Sequence, residues 1–515
     1  MPTLYRGGRV YCPADPHASA MLVEDDRIAW LGPDDERPDV ADVVDLDGGL
    51  VTPAFVDAHV HVTDTGLALL GLDLSGAASV EEALDRMAAY AATLPPDATV
   101  IGHGWDESGW SERRAPTADE LDRAAAGRKV YLARVDVHSA VCSTALMAAS
   151  SGLPTADGYR QDGWQRGAAH HVVRESAHAA ITASQRRAAQ MRALRQAASL
   201  GIASVHECGG PGTSSEQDFT ALLKLPSQHP LPEVHGYWGE LGAAAKAREL
   251  GAAGAGGDLY ADGALGSQTA LLREPYVDAH GCGTAYLSPK EVADHIVDCV
   301  RHGMQGGFHA IGDAALANVV QGFSLAAEKV GIERLRAGRH RVEHSELLDR
   351  ELIRGYVEFG LIASMQPAFD RLWGGEKGMY AQRLGVARSL ASNPFASLAG
   401  VGVPLALGSD SPVTPLDPWG SVRAAAQHRN PSQRITVRTA FAAHTRGGWR
   451  AVRRDDEGVL APGGPATFAV WRDVGEVRKG LPVLRPDAAL PVCSRTVLRG
   501  VIIHDEEHAP EGLTA

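Results

Sequence analysis

No apolar run in this chain approaches the roughly 20 residues needed to cross a bilayer. The first residues, Met1-Pro2-Thr3-Leu4-Tyr5-Arg6, lack the basic-then-apolar layout of a secretory leader. A cytoplasmic protein with no membrane partner is therefore expected. Paired thiols are also missing. Cys12, Cys142, Cys208, Cys282, Cys299 and Cys493 form no C-x-x-C pair, which argues against zinc-finger and thioredoxin-like chemistry and against a disulfide framework. Basic residues are in deficit, 49 Lys and Arg against 63 Asp and Glu, for a net charge of −14. So acidic a surface repels phosphate backbones, and no nucleic-acid partner is expected. Phosphate loops are absent too. Gly209-Gly210-Pro211-Gly212 and Gly254-Ala255-Gly256-Gly257 have neither the P-loop order nor the dinucleotide fingerprint, and read as turns.

What remains is an ordinary globular composition of 515 residues, 44% hydrophobic and 22% charged, with a mean hydropathy of −0.13. The unusual feature is 21 histidines. Imidazoles and carboxylates without clustered thiols favour a nitrogen and oxygen metal site over a thiolate one.

Both ends of the chain read as β structure. Ala20–Glu24 and Arg27–Leu31 flank the acidic turn Asp25-Asp26. Near the other end, Ala466–Trp471 and Thr496–Ile503 are apolar strands. Residues 1–50 and 455–515 are thus expected to build one composite β-sandwich. Between them, strands alternate with helices, the pattern of βαβ units and a parallel sheet. Capping boxes are expected at Ser79, Thr117 and Ser288, and a helix over 184–200. Candidate strands lie at 54–61, 99–103, 129–135, 202–207, 233–238, 257–262, 307–311, 341–345, 361–366 and 403–409. Ten is two too many for a (β/α)8 barrel. Assigning 99–103 and 129–135 to an insertion over about 67–180 leaves eight within a barrel spanning 51–454.

The strongest chemical signal is Phe55-Val56-Asp57-Ala58-His59-Val60-His61. On a strand, His59 and His61 face the same way, about 6–7 Å apart, and can grip one cation. Single histidines follow in Gly307-Phe308-His309-Ala310-Ile311 and Arg341-Val342-Glu343-His344, and Gly408-Ser409-Asp410 ends another buried run in a carboxylate. Any one of these reads equally well as a packed core histidine or a helix cap. At the C-terminal ends of barrel strands, polar residues converge on one pocket. Four histidines and an aspartate there form a divalent-metal site suited to zinc and to activating water.

This set resembles the metal-dependent amidohydrolase superfamily, and in particular amidohydrolase family 3, the branch that includes N-substituted formamide deformylases. Further marks of that branch are Gly104–Trp110, Pro116-Thr117, Arg134–Ser139, Asp262–Ala270, Pro275-Tyr276 and Gly281. The resemblance implies that His59, His61 and Asp410 bind one Zn2+, that His309 and His344 bind a second or orient substrate and water, and that Asp410 serves as general base. Relatives usually have a carbamylated lysine where this chain has Asp258. With the shorter carboxylate, as metal ligand or polar lining, a mononuclear or asymmetric site is expected, holding one divalent metal or two.

The insertion is expected to form the substrate wall, with Trp105, Asp106, Trp110, Arg134, Asp136 and His138 joined by Asp262, Ser267 and Gln268. The alternative is that Arg134 and Asp136 pair structurally and the tryptophans are core. His206-Glu207 reads as support behind the ligands, Met365-Gln366-Pro367 as pocket wall, and His444 and Trp449 as helix packing. The expected activity is hydrolysis of a non-peptide C–N bond in a small-molecule amide-type substrate, foremost an N-substituted amide or formamide. A deaminase or cyclic-amide hydrolase on the same scaffold is one alternative, and a non-catalytic ligand-binding relative another. A homodimer stays open.

Overall fold

The computed structural model describes residues 2–508. Its centre is an eight-stranded parallel sheet of Phe55–Val60, Ile202–Gly209, Glu233–Trp238, Gly254–Ala255, Gln305–Ala310, Arg341–His344, Ile362–Met365 and Leu405–Leu407, each hydrogen-bonded to the next in that order. The first and eighth strands meet where both end. Asp410 N donates to His59 O at 2.8 Å, and His61 N donates to Ser411 O at 2.9 Å. The sheet is thereby rolled into a TIM-like α/β barrel, and the same two bonds seat Asp410 beside the H-x-H pair.

Strand and helix limits follow local chemistry. The helix Pro289–His302 starts at a full capping box between Ser288 and Glu291, buries Val292, Ile296 and Val297, and ends at Gly303 in the left-handed region. Thr117 and Glu120 make a second full box. At Ser79 the reciprocal bond differs from expectation, because Glu82 reaches the backbone N–H of Ala78 instead. The helix expected over 184–200 spans Ala183–Ser199 and carries its own capping box, Thr182 with Gln185.

The fourth strand departs most from the sequence reading. The expected strand over 257–262 is not regular. Pairing stops after Ala255, because Gly256 and Gly257 take φ values of 151° and 74°. A side chain on Gly256 would lie 2.3 Å from Gly307 N. The chain rejoins the fifth strand further on, where His309 N donates to Leu259 O and Ala261 N to His309 O. Asp258 is left at this break, free of the ladder and turned into the barrel mouth. Breaks of this kind re-aim a side chain at a strand end.

The two surplus strands lie outside the barrel, in a sheet of Leu72–Asp73, Val100–Trp105, Val130–Arg134, Ser139–Cys142 and Trp164–Arg166. Of the terminal sheets, one contains Arg27–Gly32, Ala20–Glu24, Thr3–Arg6 and Asp42–Asp45. The other joins Arg9–Val10 and Leu50–Pro53 to Phe468–Arg472, Val492–Leu498 and Val501–Asp505. Met21, Ile28, Val51, Phe468 and Val497 pack together between them. Trp471 ties this region to the barrel, bonding Thr52 Oγ1 through its indole at 2.8 Å and meeting Phe55 edge-on. No helix among the described residues is long and apolar enough to cross a membrane.

Directly after His61, the helix Val62–Leu70 lies tight against Ala183–Ser199. A Cβ on Gly66 would stand 1.9 Å from Ala189 O. Gly66→Ala is expected to cost about 1–3 kcal/mol by overpacking, read as a lowered midpoint in urea unfolding. An unchanged midpoint would show that the two helices part without cost.

Candidate metal centre

Asp258 is the meeting point of the site. His59 Nε2 stands 3.5 Å from its Oδ1 and His61 Nε2 3.1 Å from its Oδ2. From the other side of the barrel, His309 Nδ1 approaches Oδ1 at 3.4 Å and His344 Nε2 at 3.9 Å. Asp410 Oδ1 lies 3.4 Å from His59 Nε2 and 3.3 Å from His61 Nε2, with its Oδ2 4.0 Å from His344. All six side chains are buried. The donor atoms fall into overlapping triads, His59–His61–Asp258, Asp258–His309–His344 and His59–His344–Asp410, each compact enough for one ion.

His59 Nε2, His309 Nδ1, Asp258 Oδ1 and Asp410 Oδ1 have no hydrogen-bond partner. Buried polar atoms are normally satisfied, and leaving one bare is costly. Four converging bare atoms of nitrogen and carboxylate type fit a divalent cation. Neighbouring charges and burial act differently on each donor. Burial disfavours charge on His59, but Cys208, Asp258 and Asp410 outweigh it and hold the imidazole well above its ordinary value. Burial would also raise Asp258, yet the surrounding histidines, His59 foremost, keep it well below the usual carboxylate range. Burial pushes His309 down to about 4, which keeps it neutral as a ligand must be.

The far sides of His59 and His344 are anchored. Glu343 accepts from His59 Nδ1 at 2.9 Å, and Gln366 Oε1 lies 2.8 Å from His344 Nδ1. Burial would raise Glu343, but the Arg341 guanidinium outweighs it and holds the carboxyl at about 2. Arg341 also bonds Ser364 Oγ at 2.8 Å and His206 Nδ1 at 3.0 Å, so one buried cation organises the barrel floor beneath the site. Glu207 accepts from Val62 N at 2.7 Å and secures the start of the helix after His61. His344, Ser345 and Asp410 hold φ values of 68°, 51° and 57°, left-handed conformations that cost about 1–3 kcal/mol each.

A narrow pocket opens onto His309, His344 and Asp410. Of the expected substrate wall, only Asp136 and His138 line it. Trp105 is a correction: it is fully buried, donates to Leu132 O at 2.8 Å and packs against Trp110 and Trp164 in the core of the inserted sheet. Arg134 is fully buried as well. It donates to Glu107 at 2.8 Å, Asp106 at 2.9 Å and Asp136 at 3.0 Å, so Arg134 and Asp106 brace the wall from behind. Asp262 is a second correction. Its carboxylate accepts from Leu271 N, Ile311 N and Gly312 N at 2.8–3.0 Å and clamps two loops, with burial raising it to about 7. Ser267 bonds Asp136, and Gln268 bonds Asp278. Sequence reasoning missed the roles of Glu343 and Arg341, whose only signal was charge inside an apolar strand. It also missed Glu346, Phe369, Trp373 and Tyr380 of the pocket, which no local motif marks.

Residues 42–504 match the model of the Amidohydrolase family. The chain belongs to this family. It is similar to the putative amidohydrolase YtcJ of Bacillus subtilis, at 26% identity over 98% of this chain and all of that one. The N-substituted formamide deformylase of Arthrobacter pascens is 32% identical, but over only a quarter of each chain, so the likeness to that branch is partial. Among solved structures, an uncharacterized metal-dependent hydrolase from Pyrococcus furiosus covers 91% of this chain and 98% of its own, at 25% identity and a TM-score of 0.70. The amidohydrolase family acts as metal-dependent hydrolases, and the barrel, with its cluster of candidate ligands, is consistent with that.

Arg134→Met would strand the buried carboxylate of Asp136 and leave that of Glu107 with Arg383 alone, and a loss of about 3–5 kcal/mol is expected at neutral pH. Although burial would raise Asp136, Arg134 holds its pKa below the ordinary value. The stability from this pair is therefore full above the unfolded carboxylate value of about 4 and is lost as pH falls through the folded one. Urea unfolding of both proteins across pH should show the gap narrowing in acid, and a constant gap would contradict the assignment.

Proposed function

We propose that this amidohydrolase cleaves a non-peptide C–N bond, foremost of an N-substituted amide or formamide, with Asp410 as general base. The observation that carries the reading is the double placement of Asp410, whose carboxylate faces His59 and His61 while the same side chain borders the pocket. His59, His61, His309, His344, Asp258 and Asp410 would hold Zn2+. A cation of this kind acidifies water and polarises a carbonyl. Asp410 takes a proton from the attacking water as the C–O bond forms, and gives it to the departing nitrogen as the C–N bond breaks. The products are a carboxylate, or formate, and an amine. Held low by the facing imidazoles, although burial would raise it, Asp410 begins the cycle ionised and able to accept.

Asp258 is the donor shared by both histidine pairs. Its two oxygens supply what one longer side chain would otherwise reach across to give, which supports a two-ion site over the mononuclear one, of the two forms expected from the sequence. Glu343 and Gln366 keep two imidazoles in the ligating tautomer and orientation. Within the described residues, the terminal segments 2–50 and 455–508 act as one composite sandwich beside a barrel of 51–454, with 67–180 inserted as part of the substrate wall.

Asp410→Asn is expected to lower kcat by about 10²–10⁴-fold with the fold intact, measured as released amine and formate across an amide panel. Wild-type rates in that variant would remove the general-base role, and ammonia as the product would point to a deaminase. Metal analysis is expected to find two zincs per chain and a loss in Asp258→Ala. A single tightly held ion, unaffected by that change, would remove the shared role.

A further inference from the structure

The carboxylates around the pocket differ in one respect. Asp258 and Asp410 face four histidines, Asp136 is paired with Arg134 at 3.0 Å, and Glu107 binds both Arg134 and Arg383. Glu346 has no such partner. It is 1% exposed and borders the same cavity as His344 and Asp410. Its contacts are Asn393 Nδ2 at 3.4 Å and the Tyr380 phenol. Among the described residues no Lys or Arg lines this cavity. A buried carboxylate without a cation is costly, and this one borders the cavity that His344 and Asp410 also line.

The walls nearby are aromatic. Phe369 stacks on His344 at 5.9 Å between centroids, Trp373 tilts against Phe369 at 5.0 Å, and Tyr380 follows at 6.3 Å. Aromatic faces attract cations as well as apolar carbon. Glu346 stands two residues beyond His344, past the left-handed turn at His344 and Ser345, and so lies one step outward from the donors.

We infer that Glu346 is the specificity-determining carboxylate of this site, and that the substituent on the scissile amide carries a cationic group (an ammonium, amidinium or guanidinium) held between Glu346 and the Phe369–Trp373–Tyr380 wall. The inference rests on the hydrolase reading above and narrows it to basic amides. Nothing is required of Glu346 in the bond-breaking step. Its place is on the substrate's substituent.

The test uses the zinc-loaded full chain with matched probes. Formamides of equal length, one ending in an ammonium and the other in a methyl group, are compared for kcat/KM by released amine. The corresponding methylsulfonamides, whose S–N bond resists hydrolysis, are compared for Kd by titration calorimetry. Wild type should favour the ammonium member by at least about 30-fold in both measurements. Glu346→Gln should bring both ratios close to one, and Glu346→Asp should keep their direction. A wild-type ratio near one overturns the inference, whether or not any variant folds. A ratio that survives Glu346→Gln overturns it as well, and would mean that Glu346 sits as a neutral acid bonded to Tyr380 and Asn393. If no amide is turned over while the calorimetric preference is present and is lost in Glu346→Gln, the hydrolase reading fails and the cation subsite stands.

Discussion

Two carboxylates, Asp258 and Asp410, are held inside a barrel against four imidazoles, and much of the interior is organised around the charge that creates. Left alone, such a cluster would be unstable, because buried charge is paid for only by a counter-charge or a full set of hydrogen bonds. The barrel supplies one part of that compensation from below, where Arg341 neutralises Glu343, and Glu343 fixes the ring of His59. The bare donor atoms on the upper side are consistent with the other part coming from bound cations. The strained backbone at His344 and Asp410 fits the same picture, since a conformation that costs energy persists only where surrounding contacts enforce it.

A similar logic of neutralisation extends outward. Arg134 gathers Asp106, Glu107 and Asp136 at the joint between the inserted sheet and the barrel mouth, and Arg383 approaches Glu107 from a distant helix. These guanidiniums do not meet the pocket. They hold in place the segment that presents Asp136 and His138 to it. The insertion thus affects the site through a rigid seam more than through the broad aromatic surface that its tryptophans suggest. Trp105, Trp110 and Trp164 spend their area on the inserted sheet's own core. Of the acidic residues lining the pocket, Asp136 is paired with Arg134 and Asp410 faces the histidines, whereas Glu346 makes no ion pair beside the aromatic wall.

The barrel rather than the loops sets the geometry of the donors. Hydrogen bonds between the first and eighth strands bring Asp410 to His59 across some 350 residues of chain, and the break at Gly256 and Gly257 turns Asp258 inward where a regular ladder would have engaged that stretch of chain. Position 258 shows how composition and conformation combine. The short side chain of Asp258 meets both histidine pairs from the break that follows Ala255.

Residue order alone determined the alternation of strand and helix, the exclusion of two strands from the barrel, and the candidacy of His59, His61, His309, His344 and Asp410. Those are local properties: periodicity, capping, and polar residues that end apolar runs. It could not rank the residues around them. Trp105 and Asp262 carry the same chemistry whether they meet substrate or support a loop, and only burial and bonding partners separate the two. Glu343 and Glu346 are three residues apart and both buried, yet one is neutralised by Arg341 and the other borders the pocket without such a partner. That difference lies in which neighbours the folded chain brings within a few ångströms, a relation among distant segments that no spacing along the sequence encodes.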